Sequence, residues 1–169
     1  MTIRIRKRFG GGRERLHFAF PPPSSASSAL AMHIFTYGSL MYAPVWQRVV
    51  TGSYDARAGR IRGYARQRIH GELYPALLAA APESEVRGVL YLDVSPQDVE
   101  ALDNFEGAGM DYRRIEVPVA LEDGSVLNAA TYLYLHPARV EEAPWDAERF
   151  EAEGLQRFLD TYCRTRLPG

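Results

Sequence analysis

Glu106 is a candidate for moving a proton. It closes the segment Ser95-Pro96-Gln97-Asp98 through Phe105-Glu106-Gly107, which predicts a helix from Pro96 to about Phe105. Ser95 is its N-cap, Pro96 its first helical residue, Asp98 an acid at the third position and Gly107 its stop. A carboxylate at that end meets the negative pole of the helix, and Asp103 one turn back adds like charge. Both effects predict a raised pKa, and a carboxyl titrating near ambient pH is a candidate general acid or base. From charge alone, a solvated terminal glutamate costing about a few tenths of a kcal/mol is the plainer account.

A second stretch offers complementary chemistry. His33-Ile34-Phe35-Thr36-Tyr37-Gly38-Ser39-Leu40-Met41 predicts an apolar strand over Met32–Tyr37, a turn at Gly38 and a helix at Pro44–Val50. Such a corner leaves backbone N–H groups unpaired and pointing the same way, a nest for carboxylate or phosphate. Glycine at 38 permits positive φ and close backbone approach. Ser39 follows a glycine, but no second glycine follows to build a nucleophile elbow. His33, His70 and His136 lack metal-ligand spacing and read as structural, and no phosphate-loop or dinucleotide fingerprint is present.

The elements that would position these groups alternate between strands and helices. Ala56–His70 sets Ile61, Gly63, Ala65 and Ile69 against Arg60, Arg62, Tyr64, Arg66 and Arg68, predicting one strand with an Arg-lined, solvated face. Glu72–Leu78, broken by Pro75, reads as an edge or irregular segment, and Val86–Asp93 as a strand with a glycine gap. Tyr112–Leu121 and Ser125–Leu135 form a hairpin around Glu122-Asp123-Gly124. From about Asp146 to Arg164, Leu155, Phe158, Leu159 and Tyr162 recur at helical spacing. The sum predicts an α+β fold whose largely antiparallel strands curl into a small barrel flanked by helices.

With 169 residues, 46% apolar and 24% charged, the chain has the composition of one soluble domain with a single core. A net charge of −1 excludes a global field for nucleic acid or membrane, and one cysteine, Cys163, excludes an intrachain disulfide. The average hides residues 1–31, where six Lys and Arg side chains face one acid beside Gly10-Gly11-Gly12 and Pro21-Pro22-Pro23. That composition predicts a disordered basic, Pro- and Ser-rich extension ahead of a domain over 32–169. A targeting peptide and a nucleic-acid-binding arm are alternatives to the plainest reading, an untranslated stretch upstream of a start at Met32.

Five segments match a known pattern in order and spacing: Tyr37-Gly38-Ser39-Leu40, Tyr74-Pro75-Ala76-Leu77, Gly88-Val89-Leu90-Tyr91, Leu102-Asp103 with Glu106-Gly107, and Tyr112-x-Arg114 with Val117 and Val119. They resemble the gamma-glutamylcyclotransferase-like family, from Met32 to about Leu135. The resemblance implies a small mixed β-barrel with flanking helices and a cyclisation reaction. In it the α-amine of a γ-glutamyl amine, amino acid or isopeptide attacks its own side-chain carbonyl, yielding 5-oxoproline and a free amine. The resemblance assigns the proton to Glu106 and the substrate carboxylate to backbone N–H groups of Tyr37, Gly38, Ser39 and Leu40. It also places the Tyr112 hydroxyl near the substrate. No metal or organic cofactor is implied. Leu40-Met41 stands where enzymes acting on γ-glutamyl amino acids carry asparagine, which leans toward the γ-glutamylamine-cyclotransferase branch and short bacterial relatives.

The reading is therefore a cytoplasmic, metal-independent enzyme with a small-molecule γ-glutamyl substrate and no membrane partner. A catalytically silent small-molecule or protein-binding module on the same fold is the alternative. A nucleic-acid binder using the Arg-rich strand and basic tail is the third.

Overall fold

Twelve regular elements organise residues 31–163, the part of the chain that the computed structural model describes. In order they are β1 (Met32–Thr36), α1 (Ala43–Val49), β2 (Ala56–Arg62), β3 (Tyr64–Ile69), β4 (Pro75–Ala79) and β5 (Glu85–Val94). Then follow α2 (Pro96–Glu106), β6 (Tyr112–Leu121), β7 (Val126–Tyr134), β8 (Val140–Pro144), α3 (Ala147–Arg149) and α4 (Leu155–Tyr162). The basic extension read over residues 1–31 lies, apart from Ala31, outside the described residues, as does Arg164 at the expected end of the last helix.

The expected α+β barrel is present. Five strands close in the order β1-β5-β2-β6-β7, and β4-β3-β8 form a second, three-stranded sheet. The pairs are antiparallel except β1 with β7, which run parallel. Strand β1 is buried on both faces because it has something to pack on each side. Phe35 joins the cluster containing Val117, Val119 and Leu90, while Ile34 joins the cluster beneath the helices. Helix α1 docks through Trp46, whose ring stacks on Tyr91 at 3.6 Å with planes 4° apart.

The single strand expected over Ala56–His70 is two strands in two sheets. Gly63, at φ +81°, breaks it, and β2 enters the barrel while β3 enters the second sheet. Polar–apolar alternation carries no record of that turn, since both halves keep a period of two. The arginine row is correspondingly not one solvated face. Arg60 and Arg62 meet Glu85, Arg68 meets Glu141, and Arg66 turns inward. Strand β4 is an edge strand starting at Pro75, as the proline predicted. Strand β8 has no apolar alternation and takes its form from pairing with β3. The last helical stretch is interrupted by a π segment at Phe150–Gly154. Among the described residues no helix is long and apolar enough to cross a membrane.

Helix α2 is anchored at its N-terminal end by more than the Ser95 cap, which accepts from the Asp98 amide. Asp98, 2% exposed, accepts from Thr51 N (2.9 Å), Thr51 Oγ1 (3.0 Å), Gly52 N (2.8 Å) and the Tyr54 hydroxyl (2.6 Å). Burial pushes its carboxyl up, but these donors, Tyr54 foremost, hold it below the ordinary value. The stability this contributes is present above the ordinary pKa of 3.8 and lost as pH falls through the lowered one. Asp98→Ala is expected to cost about 2–3 kcal/mol in urea unfolding at pH 7, because its donors lose their acceptor. The gap should narrow below about pH 3.8, where the unfolded chain's carboxyl takes up its proton ahead of the folded one.

Candidate active site

Strand β1 ends at Thr36, whose hydroxyl donates to Val89 O at 3.1 Å, and the chain then leaves the barrel through Tyr37 and Gly38. The structure inserts a 3-10 turn, Ser39–Met41, between this corner and α1. Gly38 caps that turn without a side-chain acceptor, so the first N–H groups of the turn have no partner within it. Glycine is needed here for a reason other than the positive φ expected. Gly38 sits at φ −128°, but a Cβ would stand 2.8 Å from Cγ and Cδ of Pro75. The Pro75 carbonyl in turn accepts from the Tyr112 hydroxyl at 2.9 Å.

Helix α2 delivers the carboxylate from the other side. Gly107 ends the helix at φ +63°, a left-handed C-cap that an L side chain strains, and Ala108 N donates back to Asp103 O. Glu106, the last helical residue, is half-buried, and the surface it keeps faces a cavity. Its pKa is pushed up to about 8, and burial is the cause. The expected repulsion from Asp103 is not what raises it. Asp103 is occupied elsewhere, paired with Arg114 and accepting the Tyr132 hydroxyl at 2.8 Å.

Three phenols surround this carboxyl, and each has its proton committed. Tyr37 donates to Tyr132 O at 2.6 Å, Tyr112 to Pro75 O and Tyr132 to Asp103. Burial, with Glu106 among the neighbouring charges, raises all three phenol pKa values, so they stay protonated. Among the described residues no group donates a hydrogen bond to the Glu106 side chain. A desolvated carboxylate without donors is a stronger base than one in water.

Tyr37, Gly38, Ser39, Leu40, Glu106 and Tyr112, the six residues singled out from sequence, all line one narrow cleft. It continues past Ser39, Tyr74, Glu106 and Tyr112 into an outer cavity of about 730 Å³ walled by Phe105, Asp111, Phe158 and Tyr162. Tyr74 and Tyr132 were not anticipated as lining residues. Tyr132 lies on a strand whose alternation marks a buried side chain but not the cleft it meets. The Tyr112 hydroxyl, already donating to Pro75, offers an approaching ligand an acceptor oxygen and a ring face. His33, His70 and His136 lie apart from the cleft beside Asp93, Glu141 and Asp111. Among the described residues no group of three or more His, Cys, Asp or Glu could hold a metal ion.

The family profile described as gamma-glutamyl cyclotransferase, AIG2-like, matches residues 34–150, which include every residue lining the inner cleft. This chain belongs to that family. AIG2-like protein A of Arabidopsis thaliana is 27% identical over 140 residues, covering 81% of this chain and 83% of its own length. An Arabidopsis thaliana protein solved in solution aligns with a TM-score of 0.60 and 26% identity, covering 82% of this chain and 92% of its own. A structure described as gamma-glutamyl cyclotransferase shares the fold, with a TM-score of 0.56 at 19% identity and coverage of 82% and 89%.

In this member of the AIG2-like family the half-buried glutamate has a cost that can be measured. Folded Glu106 keeps its proton up to about pH 8, whereas the ordinary value is 4.5. Wild-type stability therefore falls as pH rises across that window. Glu106→Gln should match wild type below about pH 4.5 and exceed it near pH 9. The gain should be on the order of 2 kcal/mol, less than the full shift implies because water reaches the half-buried group. Denaturant unfolding of both proteins across this range checks it.

Proposed function

We propose that this protein is a cyclotransferase converting a γ-glutamyl compound into 5-oxoproline and a free amine. The observation that carries this reading is the shared cleft. A donor-free carboxyl with a pKa of about 8 faces the uncapped backbone turn at Gly38–Leu40. The fold and the family membership support it.

The chemistry asks little of the protein beyond holding and proton transfer. The substrate α-carboxylate sits on the N–H groups of the turn, which bends the glutamyl chain so that its α-nitrogen approaches its own δ-carbonyl. Ionised Glu106 takes a proton from the α-ammonium, freeing the lone pair. Nitrogen then attacks the carbonyl carbon, a C–N bond forms in the five-membered ring, and the carbonyl oxygen takes up negative charge. Glu106 hands its proton to the leaving nitrogen, and the amide C–N bond breaks as the carbonyl reforms. It relays a second proton from the new ring nitrogen to the departing amine. Two protons leave one nitrogen and two reach the other, so the products are the lactam and an ammonium. The Tyr112 ring bounds the substrate, and Tyr74, between inner cleft and outer cavity, stands where the leaving group exits.

A panel of γ-glutamyl-butylamine, γ-glutamyl-alanine and Nε-(γ-glutamyl)-lysine, assayed for 5-oxoproline, tests this. Turnover of at least one member is expected, with kcat/KM rising about tenfold per pH unit up to roughly pH 8 as Glu106 ionises. Glu106→Gln should lower kcat by ~10³-fold and flatten that limb. No 5-oxoproline from any member overturns the reading and leaves a ligand-binding module on this fold. Full activity of the Gln variant removes Glu106 from the mechanism.

A further inference from the structure

Arg66 stands apart from the other arginines. Among the described residues it is the most covered arginine, and no carboxylate lies within salt-bridge reach of it. Its partners are neutral. Nη1 donates to Tyr37 O at 2.7 Å, approaches Arg87 O at 3.5 Å and Met41 Sδ at 4.0 Å, and the guanidinium lies 5.0 Å from the centre of the Trp145 ring. Asp146 attracts it only from beyond salt-bridge reach, so covering this cation costs stability, and a neutral side chain of similar size would fill the same space against Trp145. The charge therefore calls for a use that packing does not supply.

The contact at Tyr37 O gives it one. The Tyr37–Gly38 peptide is trans, so its C=O and N–H point in opposite directions. Arg66 holds the carbonyl and is absent from the walls of the cleft, whereas Gly38, Ser39 and Glu106 form them. Gripping the oxygen from behind turns the Gly38 N–H forward, and the guanidinium polarises the same peptide unit, strengthening that N–H as a donor.

We propose that Arg66 is a positioning residue of this site: by holding the Tyr37 carbonyl it aims the Gly38 N–H into the cleft and sets a covered positive charge behind the substrate carboxylate. The inference rests on the cyclotransferase reading and adds to it the source of carboxylate affinity. It also assigns a cost to each change of side chain. The carboxylate is held alike in the ground and transition states, so loss of Arg66 falls on KM and spares kcat.

The test uses whichever γ-glutamyl compound of the panel wild type turns over best. Arg66→Met keeps a long side chain against Trp145 and removes charge and donors; Arg66→Lys keeps the charge and one donor; Arg66→Gln keeps a donor alone. Arg66→Met is expected to raise KM by about tenfold with kcat within about twofold, and Arg66→Lys to recover KM to within about threefold of wild type. If the Met variant does not fold, the Gln variant decides, with an expected rise in KM of about fivefold at unchanged kcat. Unchanged KM in the neutral variants, or a loss confined to kcat that Lys does not rescue, overturns the role of Arg66 and leaves the cyclotransferase reading standing. Absence of 5-oxoproline from wild type overturns both.

Discussion

The barrel closes along the seam between β1 and β7, and the cleft grows out of that seam. This is the parallel pair, and its backbone register is a single match, Ile34 with Ala130. Side chains complete it. Thr131 Oγ1 donates to Phe35 O at 2.8 Å, and the Tyr37 hydroxyl donates to Tyr132 O at 2.6 Å, both fully inside the protein. A seam stitched by side chains can end where the strands part, which lets β1 leave the barrel at Thr36 while Tyr37 remains bound to β7. Each of these hydrogen bonds satisfies a backbone carbonyl that the short ladder would otherwise strand, a burial cost of about 1–3 kcal/mol per group. The turn at Gly38 thus starts from a fixed point, with the Pro75 ring against it, Pro75 itself held by Tyr112, and Arg66 bonded to the Tyr37 carbonyl.

Helix α2 carries two covered carboxylates with opposite electrostatics, and the contrast explains how one helix both anchors itself and presents a base. Asp98 at the N-terminal end faces four donors and the favourable pole of the helix, so its ionised form is stabilised. Glu106 at the other end faces phenols whose protons are drawn off to Tyr132 O, Pro75 O and Asp103. Burial without a donor leaves its basicity intact. The Arg114–Asp103–Tyr132 chain matters for the same reason, because it keeps the Tyr132 proton pointed away from Glu106.

Legibility in the sequence followed how local the cause was. The cap at Ser95, the stop at Gly107, the hairpin at Gly124 and the proline edge at Pro75 are decided by neighbouring residues, and each was readable. That Glu106 would be raised was also readable, but its cause was not. Helix pole and Asp103 are local and could be counted, whereas burial and the fate of three phenol protons depend on Tyr37, Tyr112 and Tyr132 converging from distant strands. Arg66 shows the same limit. Its place in an arginine row suggested a solvated face, and only the break at Gly63 and the docking of Trp145 turn it inward. Of the two reasons for glycine at 38, close approach holds and positive φ does not, since the constraint is a proline ring from a strand 37 residues on.

The two parts of the cleft have different structural origins, and that division bears on how the chemistry can be kept while its target changes. The inner part is built from the barrel seam, the Gly38 turn and the last residue of α2, with Tyr37 and Tyr112 tied by hydrogen bonds to backbone carbonyls. The outer part depends on Phe158 and Tyr162 of α4, a helix that follows a π segment and meets α2 through the Phe105–Phe158 ring contact. On the proposed reading the glutamyl group and its proton occupy the inner part, and the departing amine faces the outer one. Substitutions on α4 would then reshape the space for the leaving group without moving Glu106 or the turn. A reaction that is unimolecular at its core, needing one base and one held carboxylate, tolerates that separation because nothing in the ring closure depends on what departs.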